Sequence, residues 1–151
     1  MIDNKDREIM SLLQENSRAT ASEIAKVVGL SIPAITERIK KLSDARYIRQ
    51  FTAILDHKAL GFDLTAYITV VSASSDHYDE VIQCAKDSSA VLECHSVTGG
   101  GSHLLKIRVK NSTELETLLH DIQLWPGVAR TQTMVVLSTY KEGVRLDLQA
   151  E

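Results

Sequence analysis

Five cations, Arg38, Lys40, Lys41, Arg46 and Arg49, fall within a dozen residues and are opposed by Glu37, just before them, and Asp44. A basic stripe of this kind meets phosphates, because each ammonium or guanidinium both neutralises charge and donates hydrogen bonds to oxygen. The same composition also suits a solvated helix face. A second group is Gly99-Gly100-Gly101-Ser102, followed by His103. A run without side chains leaves backbone amides bare, so a carboxylate could approach them, with Ser102 and His103 adding side-chain contacts. A plain hairpin turn has the same pattern. Cys94, His95 and His103 lack compact metal-ligand spacing. The chain contains no G-x-S-x-G elbow, no phosphate-binding P-loop and no H-E-x-x-H helix. The expectation is binding chemistry, with no catalytic residue, no metal and no cofactor.

The cations need an element to present them. Residues 3–16 read as a helix, with Asp3 as its cap and Ile9, Leu12 and Leu13 on one face. Thr20-Ala21-Ser22-Glu23 is a capping box opening a second, short helix with Ile24, Ala25 and Val28 inward. Gly29 ends it, being free to take a positive φ. Ser31 caps a third helix that tolerates Pro33 in its first turn, and Ala34, Ile35, Ile39 and Leu42 form its apolar stripe. Small Ala25 where two helices cross, Gly29 four residues later, and apolar inner faces are the requirements of a helix-turn-helix. In that motif the start of the second helix reaches base edges in the major groove. Ser31, Ile32, Pro33, Ala34, Thr36 and Glu37 then lie nearest the bases, and Arg38, Lys40 and Lys41 suit phosphates. Arg38 has an alternative, pairing with a carboxylate and orienting the helix.

Residues 47–56 have strand character with imperfect alternation. Tyr47, Phe51 and Phe62 read as core or hinge packing rather than a base-stacking platform. A linker follows to Gly61. Strands are expected at 62–72, 91–98, 103–109 and 128–140, with helices at 76–88, capped by Asp76, and from Asn111 to Trp125-Pro126-Gly127. The order βαββαβ is that of ferredoxin-like domains.

Bulk properties agree. Residues 1–50 carry nine Lys/Arg against seven Asp/Glu, and residues 51–151 carry eight against thirteen, so a net charge of −3 hides a positive first third. Apolar residues make up 44% of 151, enough for packed cores. No apolar run approaches the roughly 20 residues that span a bilayer. The charged N-terminus is unlike a signal peptide. Two cysteines make no disulfide framework, and a reducing cytoplasm is the expected location.

Arg18-Ala19-Thr20, Glu23-Ile24-Ala25, Val28-Gly29-Leu30-Ser31, Arg38-Ile39-Lys40-Lys41-Leu42 and Tyr47-Ile48 resemble the N-terminal signature of Lrp/AsnC (feast/famine) transcriptional regulators. Cys94-His95-Ser96-Val97-Thr98-Gly99, and Pro126-Gly127-Val128 with Thr131 and Thr133, resemble that family's C-terminal domain. The resemblance spans nearly the whole chain. It implies a winged helix-turn-helix, a hinge strand, and a domain that dimerises, often builds octamers, and takes amino-acid effectors. By resemblance, Gly99, Gly100, Gly101, Ser102, His103, Thr131 and Thr133 are the candidate effector residues. The chain departs from the family at Ser102, where an acidic residue often stands. Asparagine-responsive members look similar in having Ser there, so leucine is put in doubt as the ligand.

The resulting expectation is an α+β protein: a helix-turn-helix domain at 1–50, a hinge at 51–61, and a ferredoxin-like βαββαβ domain at 62–151. It is a cytoplasmic, sequence-specific regulator that binds double-stranded DNA as a homo-oligomer and responds to an amino acid or similar metabolite. Two other readings remain: an architectural DNA-binding protein without effector, and a ferredoxin-like enzyme subunit with a helical accessory domain.

Overall fold

The computed structural model describes residues 1–149. The chain forms two compact units, one of Met1–Ile54 together with the segment from Lys141, the other of Leu55–Tyr140.

The first unit holds α1 (Asn4–Glu15), α2 (Ala21–Val28) and α3 (Ile32–Asp44). Local chemistry sets each start. Asp3 accepts from the Asp6 amide while the Asp6 carboxylate accepts from the Asp3 amide. Thr20 and Glu23 do the same for α2. The Ser31 hydroxyl accepts from the Ala34 amide at the start of α3. Each such cap contributes about 1 kcal/mol. Gly29 closes α2 at φ +75°, the left-handed conformation that glycine adopts without strain. Ile9, Met10, Leu13, Ile24, Ala25, Val28, Ile35 and Leu42 form the core. Leu12, expected inside, is only half-buried, and Met10 takes its place.

The segment from Lys141 belongs to this helical unit, whereas the sequence reading put it with the second domain. Arg145 pairs with Glu15 at 2.7 Å. The Gln14 side chain both donates to the Leu146 carbonyl and accepts from its amide. Arg7 donates to the Leu148 carbonyl, and the Leu148 side chain packs on the helical core.

The second unit holds β1 (Leu64–Ser72), a 3-10 turn (Ser75–His77), α4 (Tyr78–Asp87), β2 (Val91–Ser96), β3 (His103–Val109), α5 (Ser112–Gln123) and β4 (Val128–Val135). The sheet is antiparallel in the order β2-β3-β1-β4. Ala66, Ile68 and Val70 alternate inward on β1, as do Leu105, Ile107 and Val109 on β3; they pack against Val81 and Ala85 of α4 and Leu115, Leu118 and Ile122 of α5. Both helices therefore cover one face. The other face carries Tyr67, Thr69, Val71, Leu104, Lys106 and Arg108, all half-buried.

Several expectations need correction. Residues 47–56 form no strand: they carry no regular secondary structure. Among the described residues no strand lies beside them to pair with. Tyr47, Phe51 and Phe62 are exposed by 52, 49 and 38%, so within one chain they are not core. The final strand stops at Val135 rather than Tyr140, because β1 offers its last rung where the Val136 amide donates to the Thr65 carbonyl. Asp76 is not the cap of α4: its amide donates to the Ser74 hydroxyl and the 3-10 turn precedes the helix.

Candidate DNA-binding helix and ligand-binding turn

The start of α3 projects from the helical unit. Ile32, half exposed at 50%, Pro33, Thr36 and Glu37 are all exposed, while Ile35 beside them is fully buried and anchors the helix. Ala34 is half-buried. Spacing of four places Ile32, Thr36 and Lys40 in one row and Pro33, Glu37 and Lys41 in the next. The Ser31 hydroxyl is used in capping, and the Thr36 hydroxyl donates to the Ile32 carbonyl.

The three cations of this helix differ. Lys40 pairs with Asp44 at 2.9 Å and Lys41 with Glu37 at 2.7 Å, both across exposed helical turns. Those pairs hold the Glu37 carboxyl below, and the Lys40 ammonium above, its ordinary range. Such pairs are weak in water, so phosphate oxygens can replace the carboxylates at little cost. Arg38 is engaged differently. Its guanidinium reaches across to α1, 2.7 Å from Asp6 and 2.8 Å from Asp3. These hydrogen bonds raise its pKa, and the Asp6 amide together with Arg38 lowers that of Asp3. Of the two roles open for Arg38, the structure forms the orienting one. The sequence points to Asp3 only as the cap of α1; its pairing with Arg38, shared with Asp6, is a second use that local spacing does not show.

In the second unit the glycine turn joins β2 to β3. Gly99 has φ +105°. Gly100 has open space around it, whereas a Cβ on Gly101 would lie 2.8 Å from the Val70 carbonyl oxygen and against Thr69. Close backbone approach therefore requires glycine at 101. Among the described residues, the amides of Gly99, Gly100 and Gly101 have no backbone or side-chain acceptor, while the Ser102 amide donates to Val70 at 2.9 Å. The Ser102 hydroxyl also donates to Val70 and hydrogen-bonds with Ser72 at 2.9 Å and with His103 Nδ1 at 2.8 Å. A hydroxyl has one proton, so that donation makes Ser72 and His103 Nδ1–H the donors.

His103 is 1% exposed and meets the Tyr78 ring edge-on at 4.9 Å. Burial lowers its pKa, which keeps the ring neutral. It lies beneath the turn. Ser96, His103, Val70 and Thr131 form one row across the four strands, and Thr133 lies opposite Ile68. Thr131 is thus separated from the β3 end of the turn by β1, two strand spacings or about 10 Å. No group of His, Cys, Asp and Glu side chains among the described residues could hold a metal ion. Among the described residues no helix is long and apolar enough to cross a membrane.

An exposed recognition helix on a three-helix unit, joined to an antiparallel βαββαβ unit with a bare-amide turn, defines a two-domain DNA-binding regulator. Residues 2–43 match the AsnC-type helix-turn-helix domain, and residues 65–146 the Lrp/AsnC ligand binding domain. The chain belongs to the Lrp/AsnC family of transcriptional regulators. It is 39% identical to the HTH-type transcriptional regulator FL11 of Pyrococcus abyssi, over 98% of this chain and 97% of that one. It is 32% identical to the leucine-responsive regulatory protein of Klebsiella pneumoniae, over 96% and 90%. The structure of the transcriptional regulator NMB0573/L-Met complex from Neisseria meningitidis superposes with a TM-score of 0.94 at 28% identity, covering 99% of this chain and 98% of that one. That of Escherichia coli AsnC gives 0.89 at 28% identity, covering 98% and 99%.

Proposed function

We propose that this regulator reads DNA bases with Ile32, Pro33, Ala34, Thr36 and Glu37, grips phosphates with Ser31, Lys40 and Lys41, and is modulated by an amino acid whose carboxylate meets the turn at Gly99, Gly100 and Gly101. Arg38 supports the site by tying α3 to α1. The observation that carries the DNA half is the exposed start of α3 over a fully buried Ile35. The effector half is supported by three adjacent amides without protein acceptors. It is also supported by a relative named leucine-responsive and a structural neighbour described with L-Met. Ser102 and His103 support the turn, Thr131 lies in the row of His103, and Thr133 lies two residues further along β4.

The protein acts as a cytoplasmic homodimer or larger closed oligomer. Two features support assembly: the uncovered sheet face bearing Tyr67, Thr69, Val71 and Leu104, and the exposed apolar side chains of the segment that follows the helices, with Ile54 and Leu55 exposed by 81 and 66%. A second copy could cover both. Thermal unfolding of the full chain, with each of the twenty amino acids in turn and with and without duplex DNA, tests the whole reading. Stabilisation by DNA and by at least one amino acid is expected, the latter about 2.7 kcal/mol at a hundredfold excess over the dissociation constant. DNA stabilisation with no amino-acid response would favour an architectural protein. No response to DNA would defeat the proposal.

A further inference from the structure

The end of α3 carries an anomaly that its apolar pattern does not explain. Ala45 caps the helix, and the next two amides fold back, Arg46 to the Ser43 carbonyl at 3.0 Å and Tyr47 to the Leu42 carbonyl at 2.9 Å. These bonds, with a further one from the Ile48 amide to the Leu42 carbonyl at 3.1 Å, close the last turn of the helix and go with a left-handed residue 46. Glycine is the usual occupant, because any Cβ there crowds the carbonyl oxygen. Arg46 has φ 64°. Among the described residues it is the one non-glycine with positive φ; the other four such positions are Gly29, Gly61, Gly99 and Gly127. The chain thus places glycine wherever else this backbone occurs.

The side chain gains no visible return inside the chain. Arg46 is exposed, and among the described residues its guanidinium has no carboxylate or hydrogen-bond partner. The cations of α3 itself are all engaged, Arg38 with Asp3 and Asp6, Lys40 with Asp44, and Lys41 with Glu37. A cation near the end of a helix is favoured by the helix dipole, but Lys41 already supplies one in the last turn. A strained residue that contributes nothing to packing points to function.

We propose that Arg46 is a phosphate-contacting residue of the DNA interface, kept in a left-handed conformation because its guanidinium clamps the sugar–phosphate backbone where the recognition helix ends. This rests on the DNA-binding reading above. A helix lying in the major groove with its start toward the bases leaves its far end near the backbone. An unpaired arginine there presents its full fork of donors to phosphate oxygens, with no intramolecular ion pair to break first.

The test uses the full chain and a fluorescein-labelled duplex of mixed sequence, about 30 base pairs long, titrated by fluorescence anisotropy over a range of salt concentrations. Arg46→Gly is expected to melt about 2–4 °C higher than the wild type. It is also expected to bind about fivefold more weakly at about 0.1 M salt, with a slope of log K against log salt shallower by about one per protomer. Arg46→Ala should lose the same affinity without the gain in melting temperature, and Arg46→Lys should keep most of the binding. Stabilisation together with weakened binding is an outcome that a purely structural arginine would not give. An Arg46→Gly protein with wild-type affinity and salt slope would overturn the proposal, and one that melts no higher would overturn the argument from strain. If the wild type itself failed to bind the duplex, the DNA reading and this inference would fall together.

Discussion

The recognition helix wears its charges outside, each neutralised by a nearby carboxylate, whereas the glycine turn keeps its side-chain polar groups turned inward and offers mainly backbone. Lys40 and Lys41 are 76 and 72% exposed and paired across one helical turn. Ser102 and His103 instead bond to Ser72, Val70 and each other beneath the turn. The two surfaces suit different ligands. Exchangeable surface ion pairs suit a polyanion bound through many weak, salt-sensitive contacts. A rigidly supported set of bare amides suits one small carboxylate. The contrast also says where mutations should hurt: removing a side chain from α3 should spare the fold, while adding one to the turn should not always do so.

The largest effect is expected at Gly101. Gly101→Val drives a side chain into the Val70 carbonyl and Thr69, and should cost about 3 kcal/mol of stability, measured by urea unfolding. Gly100→Val meets open space and should leave the fold intact, yet abolish stabilisation by an amino acid, because the added side chain stands where the carboxylate must approach. Equal stability losses at 100 and 101 would mean that the turn is not supported as described.

Arg38→Ala comes next. It should lower the melting temperature by about 2–4 °C by releasing α3 from Asp3 and Asp6, and weaken DNA binding without changing the salt slope. Lys41→Ala should do the reverse, with little change in melting temperature and a slope shallower by about one per protomer. Identical behaviour of the two variants would erase the distinction between the orienting and the phosphate-facing cation.

A smaller effect concerns pH. Burial depresses the His103 pKa below the ordinary 6.5, so the unfolded chain takes up a proton that the folded chain resists. The stability contributed by neutral His103 is fully present above about pH 6.5 and is lost as the pH falls below it. Melting temperature followed from about pH 8 to pH 5 should decline for the wild type and decline less for His103→Gln. Parallel curves would show that His103 titrates as it does in the unfolded chain.

The helical unit was the more legible of the two in sequence. Capping at Asp3, Thr20 and Ser31 and the left-handed Gly29 follow from interactions within four residues, and the buried Ile24, Ile35 and Leu42 from the apolar periodicity of α2 and α3. What stayed hidden was non-local. Nothing in residues 141–149 has helical or strand periodicity, so their return to α1 through Arg145, Leu146 and Leu148 left no pattern to read. The partnership of Arg38 with Asp3 spans 35 residues. In the second unit the strand order followed from the βαββαβ sequence. The requirement for glycine at 101 rather than 100 depends on where β1 passes, which no local spacing reveals. The expected strand at 47–56 failed for a related reason: strand propensity needs a pairing partner, and among the described residues none pairs with it.

The central claim, that exposed residues at the start of α3 read base edges, is tested most directly by selecting binding sites from random-sequence duplexes. The wild type should enrich a two-fold symmetric motif whose half-sites lie one helical turn, or a multiple of it, apart. Thr36→Ala should relax preference at one position in each half-site while retaining overall affinity within about tenfold. A wild-type protein that binds duplex DNA yet enriches no motif, or a Thr36→Ala protein with an unchanged motif, would contradict the account.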